Sequence, residues 1–416
     1  MSERARRILL IIGFVSVVLA LGFGLYWVFF RAAPVSNVPV TNVPTTPGGN
    51  LPKPGTGGTG GAGGQPSTST GGLPTAGGIV PTPVPPLPTG VPQAPRTEVV
   101  TQTPTQMVSM SANGNLRGYN PTDGKFYTYN ADGVATPLSN QAFYNVQSVA
   151  WADNSNKAIL SYPDGSNIYY DFSTDKQVTL PRHWEGFAFS PQDDKIVTKS
   201  VGNNEDNRFL VIANPDGSNA KPIESLGNNQ DLVQVSWSPN NQVVAFSQTG
   251  DALGFDRQEI LLVGQNHENF KGLVVEGRGF DPAWSPSGKN LLYSVYSSGN
   301  NYNPTLWISG AEGDSVNANR TNLQLSTWAD KCAWNGETQL ICGVPTSLPQ
   351  GAGLQPDLAQ NIPDEIYKID LTTGTKVNLG LAAGNASVKQ MTITPDGKTA
   401  LFTDATTGRL VRFDLQ

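Results

Sequence analysis

Histidine and cysteine are scarce in this chain of 416 residues, which contains two of each. Two cysteines, Cys332 and Cys342, are too few for a disulfide framework or for a zinc site built from several thiolates. Two histidines, at positions 183 and 267, leave little material for metal binding or for acid–base catalysis. The composition therefore predicts neither a metal ion nor a cofactor.

The common catalytic fingerprints are missing as well. The sequence has no G-x-S-x-G nucleophile elbow, no H-E-x-x-H zinc motif, no Walker loop and no Rossmann glycine loop between a strand and a helix. A basic excess is also lacking, since the formal net charge is -6 at pH 7, so nothing in the charge indicates a nucleic-acid partner. We therefore expect a protein that is not an enzyme.

An apolar run without a charged side chain covers residues 8–30. Its 23 residues exceed the length of about 20 that spans a bilayer as a helix, and Tyr26 and Trp27 suit a membrane interface. A cleaved signal peptide or a buried core helix is the alternative, but the apolar part of a cleaved signal usually has only about 7 to 15 residues. The basic segment at 1–7 predicts a cytoplasmic N-terminus and a folded part outside the cytoplasm.

Residues 31–96 consist largely of proline, glycine, threonine, serine and valine, with GTGGTGGAGG at 55–64 and PTPVPPLPTG at 81–90. Such a composition cannot bury a core, and its prolines oppose helix and central strand. The segment is predicted to be a disordered linker that holds the following domain away from the membrane. A glycosylated or wall-threading stalk is the alternative.

A short unit recurs through residues 97–416: a large apolar residue, a tight turn and an apolar strand. The clearest copy is WSPSGKNLLYSV, in which proline and glycine suit the turn. Consecutive copies are 38 to 59 residues apart and begin at Met110, Trp151, Phe189, Trp237, Trp284, Trp334 and Ile393. This period is typical of a β-propeller, in which each repeat is one four-stranded blade. The sequence predicts an all-β, seven-bladed propeller, with six blades as the alternative because the Met110 copy is weak.

The last repeat ends at Gln416 after three strands. We expect the segment TEVVT at 97–101 to supply the fourth strand. Pairing the first strand of the domain into the last blade would close the ring and remove an open sheet edge.

The WSPSGK, ITPDGK and FSPQDDK units resemble the PD40 repeats of TolB-like β-propellers, and they are similar to the propeller domains of prolyl-oligopeptidase-type peptidases. The resemblance covers about 97–416 and implies the propeller fold without naming a partner. The sequence departs from the repeat pattern at Trp151 and Trp334, which Ala-Asp-Asn and Asn-Gly-Glu follow, and at Met110, which replaces tryptophan.

The connections within and between repeats differ in length. In a four-stranded blade, the first-to-second and third-to-fourth connections lie on one face, and the remaining connections lie on the other. Here the first set is short, whereas the second includes long segments at 201–207, 249–257, 297–304 and 345–364. Binding residues concentrate on variable loops of a rigid scaffold. The candidate binding residues on this face are Arg182, His183, Trp184, Arg278, Phe280, Asp281, Tyr302, Trp328, Asp330, Lys331 and Leu354. The alternative is that the aromatic members pack beneath the loops.

Cys332 and Cys342 flank the turn of the sixth repeat, on strands that we expect to be hairpin neighbours. A disulfide is the favoured interpretation because an exported location permits it. Two buried thiols are the alternative.

Together these patterns predict a single-pass membrane protein with an extracytoplasmic propeller that binds a protein, peptide or glycan of the cell envelope. The alternative is a propeller enzyme, a glycan lyase or a lactonase-like hydrolase, that uses carboxylates of the central funnel. An acidic cluster with a bound ion in the channel would favour the enzyme, and an apolar, aromatic mouth would favour the binding module.

Overall fold

The computed structural model describes residues 15–21, 23 and 97–416, apart from 112, 113, 131, 132 and 269. The chain divides into two units, residues 1–85 and residues 86–416. Residues 15–21 and 23 are helical, and no helix within the described ranges is long and apolar enough to cross a membrane. The predicted cytoplasmic segment, most of the predicted anchor and the predicted linker lie outside the described residues.

Residues 97–416 form seven antiparallel sheets of four strands each, which are the blades of a β-propeller. Blade 1 consists of β2 (Gln106–Met110), β3 (Leu116–Asn120), β4 (Lys125–Tyr129) and β5 (Ala135–Pro137). Blade 2 consists of β6 (Ser148–Trp151), β7 (Lys157–Ser161), β8 (Asn167–Asp171) and β9 (Lys176–Leu180). Blade 3 consists of β10 (Trp184–Phe189), β11 (Ile196–Val201), β12 (Arg208–Ala213) and β13 (Lys221–Ser225).

Blade 4 consists of β14 (Val233–Val235), β15 (Val243–Ser247), β16 (Gln258–Gly264) and β17 (Leu273–Val275). Blade 5 consists of β18 (Arg278–Trp284), β19 (Asn290–Tyr296), β20 (Pro304–Gly310) and β21 (Thr321–Asn322). Blade 6 consists of β22 (Cys332–Trp334), β23 (Gln339–Pro345), β24 (Asp364–Asp370) and β25 (Lys376–Leu381). Blade 7 combines β26 (Val388–Ile393), β27 (Thr399–Asp404) and β28 (Leu410–Asp414) with β1 (Thr97–Val99). The predicted count of seven blades is confirmed.

Short 3-10 helices occur in the connections, at Glu205–Asn207, Gly227–Leu232, Ser298–Asn300, Gly313–Ser315, Ala329–Lys331, Pro356–Ala359 and Ala383–Asn385. None exceeds six residues within the described ranges. The architecture therefore rests on the strands, as the repeat pattern predicts.

Burial varies across a blade and explains why the strands differ in composition. Every residue of the second strand β15, VVAFS, is buried, whereas every residue of the outermost strand β5, ATP, is exposed. A second strand is covered on both sides by the adjacent blades, so its sequence is a continuous apolar run and does not alternate. In the described part, seven clusters of buried apolar side chains lie between neighbouring blades.

The large aromatic residues of the repeat contribute to these clusters. Trp284 stacks on Phe246 of the preceding blade with ring centroids 5.2 Å apart, and Phe280 meets the same ring edge-on at 5.4 Å. Aromatic pairs in such arrangements stabilise a core beyond the area that they bury. The recurrent tryptophan therefore packs one blade against the next.

The tight turns of the repeat join adjacent blades. Asp193, in the turn of blade 3, accepts hydrogen bonds from the main-chain amides of Asp153 and Asn154 in blade 2, each at 2.9 Å. In the same way, the main-chain amide of Ser287 in blade 5 donates to Glu337 of blade 6 at 2.7 Å. We call the face that carries these turns the short-turn face, and the opposite face the long-loop face.

The ring closes through β1, as expected from the sequence. Thr97, Glu98 and Val99 pair with Phe413, Arg412 and Val411 of β28. The hydroxyl of Thr101 accepts a hydrogen bond from the main-chain amide of Leu410 at 3.0 Å, and Thr403 donates to the carbonyl of Thr105 at 3.2 Å. These contacts connect positions about 300 residues apart, and they make β1 the outermost strand of blade 7 in place of β28.

The direction of β1 decides on which face the chain enters the propeller. The loop between β27 and β28 lies on the long-loop face, and β1 runs antiparallel to β28. Thr97 is therefore at the short-turn end, where the main-chain amide of Leu415 also bonds to the carbonyl of Lys398 in a repeat turn at 2.9 Å. The chain enters the ring on the face opposite to the long loops.

Candidate functional site on the long-loop face

The long loop of blade 4 is attached to blade 5. The guanidinium of Arg278 donates to the carbonyls of Phe255 and Gly254 at 3.2 and 3.3 Å, and to the side-chain oxygen of Gln258 at 2.7 Å. Ser298, in the next long loop, donates a hydrogen bond to Asp256. Arg278, a predicted binding residue, thus organises the loop, and three of its donors are already used.

The loop at 346–363 of blade 6 packs on the loop of blade 5. Its main-chain amides at Gly351 and Gly353 donate to the carbonyls of Asn301 and Tyr302 at 2.9 and 2.8 Å. A Cβ atom at Gly353 would lie 2.5 Å from the Cβ of Tyr296, so this close approach requires glycine. Ala352 is fully buried beneath the loop. The longest irregular segment of the propeller is therefore an ordered surface.

Apolar side chains stand at the tips of these loops. Phe255 is 77% exposed and Leu354 is 55% exposed, and Leu253 and Leu358 beside them are also exposed. Burying a large apolar side chain against a partner contributes about 1.5 to 3 kcal/mol, so such residues are effective contacts. Leu354 is thus available to a partner, and Phe255 joins it although the sequence analysis did not select it.

The segment between blades 5 and 6 forms one side of the channel mouth. The ammonium of Lys331 lies 2.8 Å from Oδ2 of Asp364, and the same oxygen accepts the main-chain amide of Val388 at 2.6 Å. Asp364 is fully buried and Lys331 is nearly so. Burial raises the pKa of Asp364, and the neighbouring lysine opposes that rise. Asp364 thus neutralises the charge of Lys331 at the mouth, and its hydrogen bond with Val388 connects blade 6 to blade 7.

Asp281 and Asp330 lie close together beside this segment. Burial and, to a lesser degree, the charge of Asp330 raise the pKa of Asp281 to about 6, although the main-chain amides of Asp330 and Ala329 oppose the rise. Desolvation also raises the pKa of Asp330, although part of this residue is exposed. Across the described ranges, no group of three or more histidine, cysteine, aspartate or glutamate residues has the geometry of a metal site.

The Asp281 pKa predicts a pH effect on stability. The carboxyl is protonated more readily in the folded chain than in the unfolded chain, where its pKa is near 3.8. Stability from this group is therefore largest below about pH 4 and is lost as the pH rises to about 6. Replacing Asp281 with asparagine should stabilise the protein by about 2 kcal/mol above pH 6 and have little effect near pH 4. Thermal unfolding of both proteins from pH 4 to 7 measures this, and a constant difference across the range would contradict it.

The remaining predicted binding residues divide into exposed and buried groups. Arg182 and His183 are exposed, and Arg182 pairs with Asp164 at 2.7 Å. Trp184 and Phe280 are each only 5% exposed and belong to the cores between blades, so for these two the packing alternative describes the structure. They lie within strands β10 and β18, whose pleat turns their rings inward. Tyr302 and Trp328 are half-buried, and the ring of Trp328 lies 5.6 Å from the Lys331 ammonium.

Cys332 and Cys342 form a disulfide in the structure. The two residues are directly opposite each other in β22 and β23, with their Cα atoms 4.0 Å apart. The bridge joins the two inner strands of blade 6 immediately after Lys331. It thus supports the segment that carries the mouth residues.

Comparison with solved structures was made at the level of the fold. The β-propeller domain of Cps50 (Swd1) from Myceliophteria thermophila has a TM-score of 0.51 and 12% identity, over 77% of this chain and 100% of that one. An oligogalacturonate lyase from Vibrio parahaemolyticus has a TM-score of 0.52 and 11% identity, over 77% and 93%. The likeness is that of a shared β-propeller. Identities this low show the fold alone. No protein-family model matches the chain, and no curated protein matches its sequence.

The mouth of this propeller includes residues that the sequence analysis did not select. Asp364 follows a long loop and begins β24, and Lys389 lies in β26 close enough to influence Asp330. A signal was present for Lys389, because it is a charged residue in the innermost strand of a blade. No local pattern pairs Asp364 with Lys331, which precedes it by 33 residues.

Proposed function

We propose that this chain is a TolB-like, membrane-tethered binding module whose long-loop face engages a protein, peptide or glycan of the cell envelope. The observation that carries the proposal is the difference between the two faces. The short-turn face uses its polar groups to join neighbouring blades, as Asp193 and Glu337 do. The long-loop face combines loops that are fixed to one another with exposed apolar tips at Phe255 and Leu354.

The entry of the chain supports the same proposal. Thr97 lies at the short-turn end of the propeller, so a tether attached there would not occupy the long-loop face at its point of attachment. The apolar run at 8–30 and the proline- and glycine-rich segment at 31–96 supply an anchor and a tether of that kind. An anchored binding module of this design would present its loops to other envelope components.

A non-catalytic role is part of the proposal. The mouth carries the carboxyls of Asp281 and Asp330, but the described residues have no three-ligand group for a metal. The loop tips, in contrast, have the ordered, partly apolar character of a recognition surface. Binding is therefore favoured over the glycan-lyase or lactonase-like alternative.

The test is affinity capture of envelope components by the full-length chain. We expect wild-type protein to retain specific components, and a Phe255→Ser, Leu354→Ser double variant to lose them, because both side chains are exposed and lie at the loop tips. The two substitutions together should weaken binding about 100-fold if each side chain contributes about 1.5 kcal/mol. Mass spectrometry of the retained material, for proteins and for glycans, is the measurement.

The matched control is Val134→Ser. Val134 is 59% exposed, comparable to Leu354, but it lies in a connection on the short-turn face. This variant should retain the same components as wild type. Equal recovery by all three proteins, or equal loss in both variants, would contradict the assignment of binding to the long-loop face.

A further inference from the structure

The innermost strands of four blades share a bulge that turns one residue into the left-handed region. Register shifts occur between Gln106 and Ser109, Glu185 and Phe187, Arg278 and Asp281, and Lys389 and Thr392. The left-handed residue at each bulge has a φ of 52 to 65°, and these residues are Met107, Gly186, Gly279 and Gln390. Bulges in inner strands redirect side chains at the rim of a channel.

Glycine takes this position where neighbours leave no room. A Cβ atom at Gly279 would lie 2.3 Å from the ring of Tyr296, and one at Gly186 would lie 3.2 Å from Val235. In blades 1 and 7 the position has a side chain. Met107 packs into the core between blades 1 and 2, which accounts for its presence. Gln390 has no such role, because it is exposed and its side chain bonds to no other group of the described chain. A strained, polar and unengaged residue is typical of a ligand site.

Gln390 lines a cavity of about 390 Å³ at the long-loop end of the channel, between blades 7, 1 and 2. Six more polar residues line the same cavity, and four of them, Gln106, Gln147, Ser148 and Lys389, belong to the innermost strands or the segments that lead into them. Like Gln390, none of the four makes a side-chain hydrogen bond or salt bridge within the described part of the chain. The volume lies in the range of ligand pockets, which is about 300 to 1,000 Å³.

The charge of the cavity favours an anionic group. Asp404 also belongs to the lining, but its carboxylate is buried and accepts hydrogen bonds from the main-chain amide of Ser387 at 3.1 Å and the hydroxyl of Thr407 at 2.6 Å. The accessible charge of the lining is therefore the ammonium of Lys389, and the carboxyl of Asp330, outside the lining, lies close enough to interact with it. Three carboxamides accompany it, and each can both donate and accept, as a peptide group does.

The aromatic residue of the lining distinguishes a peptide from a sugar. Trp151 reaches the cavity, but its indole nitrogen donates to the carbonyl of Met107 at 2.8 Å. One side of its ring carries the guanidinium of Arg117 at 4.7 Å, and the ring also stacks on Phe172 at 5.7 Å. The indole ring is therefore already engaged by protein groups, which makes it a poor platform for a sugar ring.

We propose that this cavity binds a short peptide segment with an acidic side chain, whose carboxylate pairs with Lys389 while Gln106, Gln147 and Gln390 bond to its peptide groups. The inference rests on the proposed function, because the cavity opens on the long-loop face. It adds a defined site in blades 7, 1 and 2, separate from the apolar loop tips of blades 4 to 6.

The test is selection of a random heptapeptide library on phage against the full-length chain in detergent solution. We expect enriched peptides to carry aspartate or glutamate. A synthetic copy of an enriched peptide should bind Lys389→Gln and Gln390→Gly variants at least about tenfold more weakly, since each variant removes a hydrogen-bonding group. Gln390→Gly should melt at or above the wild-type temperature because glycine accepts the left-handed backbone, so unfolding does not explain its loss of binding.

The matched control is Lys398→Gln, which removes the same charge from the short-turn face of blade 7 and should leave peptide affinity unchanged. No enrichment, enrichment without acidic residues, or unchanged affinity for Lys389→Gln would overturn the inference. So would binding of saccharides in place of peptides on a glycan array. If these results occur while Phe255 and Leu354 still control capture of envelope components, the peptide site fails and the proposed function stands. If capture of envelope components is also independent of Phe255 and Leu354, the peptide site and the proposed function both fail.

Discussion

A Lys331→Met variant should be less stable than wild type by about 3 to 5 kcal/mol at pH 7, because it leaves the fully buried carboxylate of Asp364 without its counter-ion. The main-chain amide of Val388 would still donate to Oδ2 of that carboxylate, and the side chain of Ser387 would still favour its charged form. The measurement is the denaturant midpoint of the full-length protein. Since the pKa of Asp364 is already raised by burial, loss of the lysine should raise it further. The difference in stability between the variant and wild type should therefore become smaller as the pH falls and the carboxyl of Asp364 takes up a proton.

The matched partner variant is Lys331→Met combined with Asp364→Asn. Asparagine keeps an oxygen for the amide of Val388 but carries no charge, so the double variant should be more stable than Lys331→Met alone. If the double variant is equally unstable or worse at pH 7, the buried charge is not the cause of the loss.

An Arg117→Met variant should lose about 3 kcal/mol or more. The Arg117 side chain is fully buried, and it donates to the carbonyls of Ser155 and Ala152 in the next blade at 2.7 and 2.8 Å. Burial lowers the pKa of this guanidinium, and the charges of Asp153 and Asp193 oppose that change. Methionine would leave both carbonyls unsatisfied and remove the positive charge beside these two carboxylates. Thermal unfolding measures the difference.

Arg182→Met makes the same chemical change at an exposed position. Its side chain is 68% exposed and pairs with Asp164 on the surface, where solvent screens the interaction. This variant should melt almost at the wild-type temperature. A loss at position 182 that matches the loss at position 117 would show that burial and the cross-blade bonds of Arg117 are not responsible.

The propeller could be predicted because its signals are local and repeated. The turn at Ser285 to Gly288 ends on a left-handed residue, which is glycine here and Asp193 or Asn241 in other copies. A second strand such as β19 is apolar because blades cover it on both sides. Seven copies of this unit indicate seven blades, and three strands after Ile393 indicate that β1 completes the ring. Turn chemistry and strand burial depend on neighbours in the chain, so one sequence suffices to read them.

The mouth could be predicted only in part. The unequal connection lengths indicated the face, and Asp281, Asp330 and Lys331 were selected there. The sequence could not show that Trp184 and Phe280 face the cores. Both residues lie where a loop meets a strand, and pairing with the neighbouring strand decides whether such a residue belongs to the strand and on which side its ring lies.

Chain order thus established the repeat, its turns, the ring closure and the face that carries the long loops. Three-dimensional packing established which mouth residues are engaged and which are free. Lys331 meets Asp364 and Gln106 lies near Gln390 because the ring brings distant strands to one rim, and no spacing along the chain records those contacts. The physical reason is that blade geometry is encoded by near neighbours, whereas the charge and hydrogen bonding of a rim depend on side chains contributed by different blades.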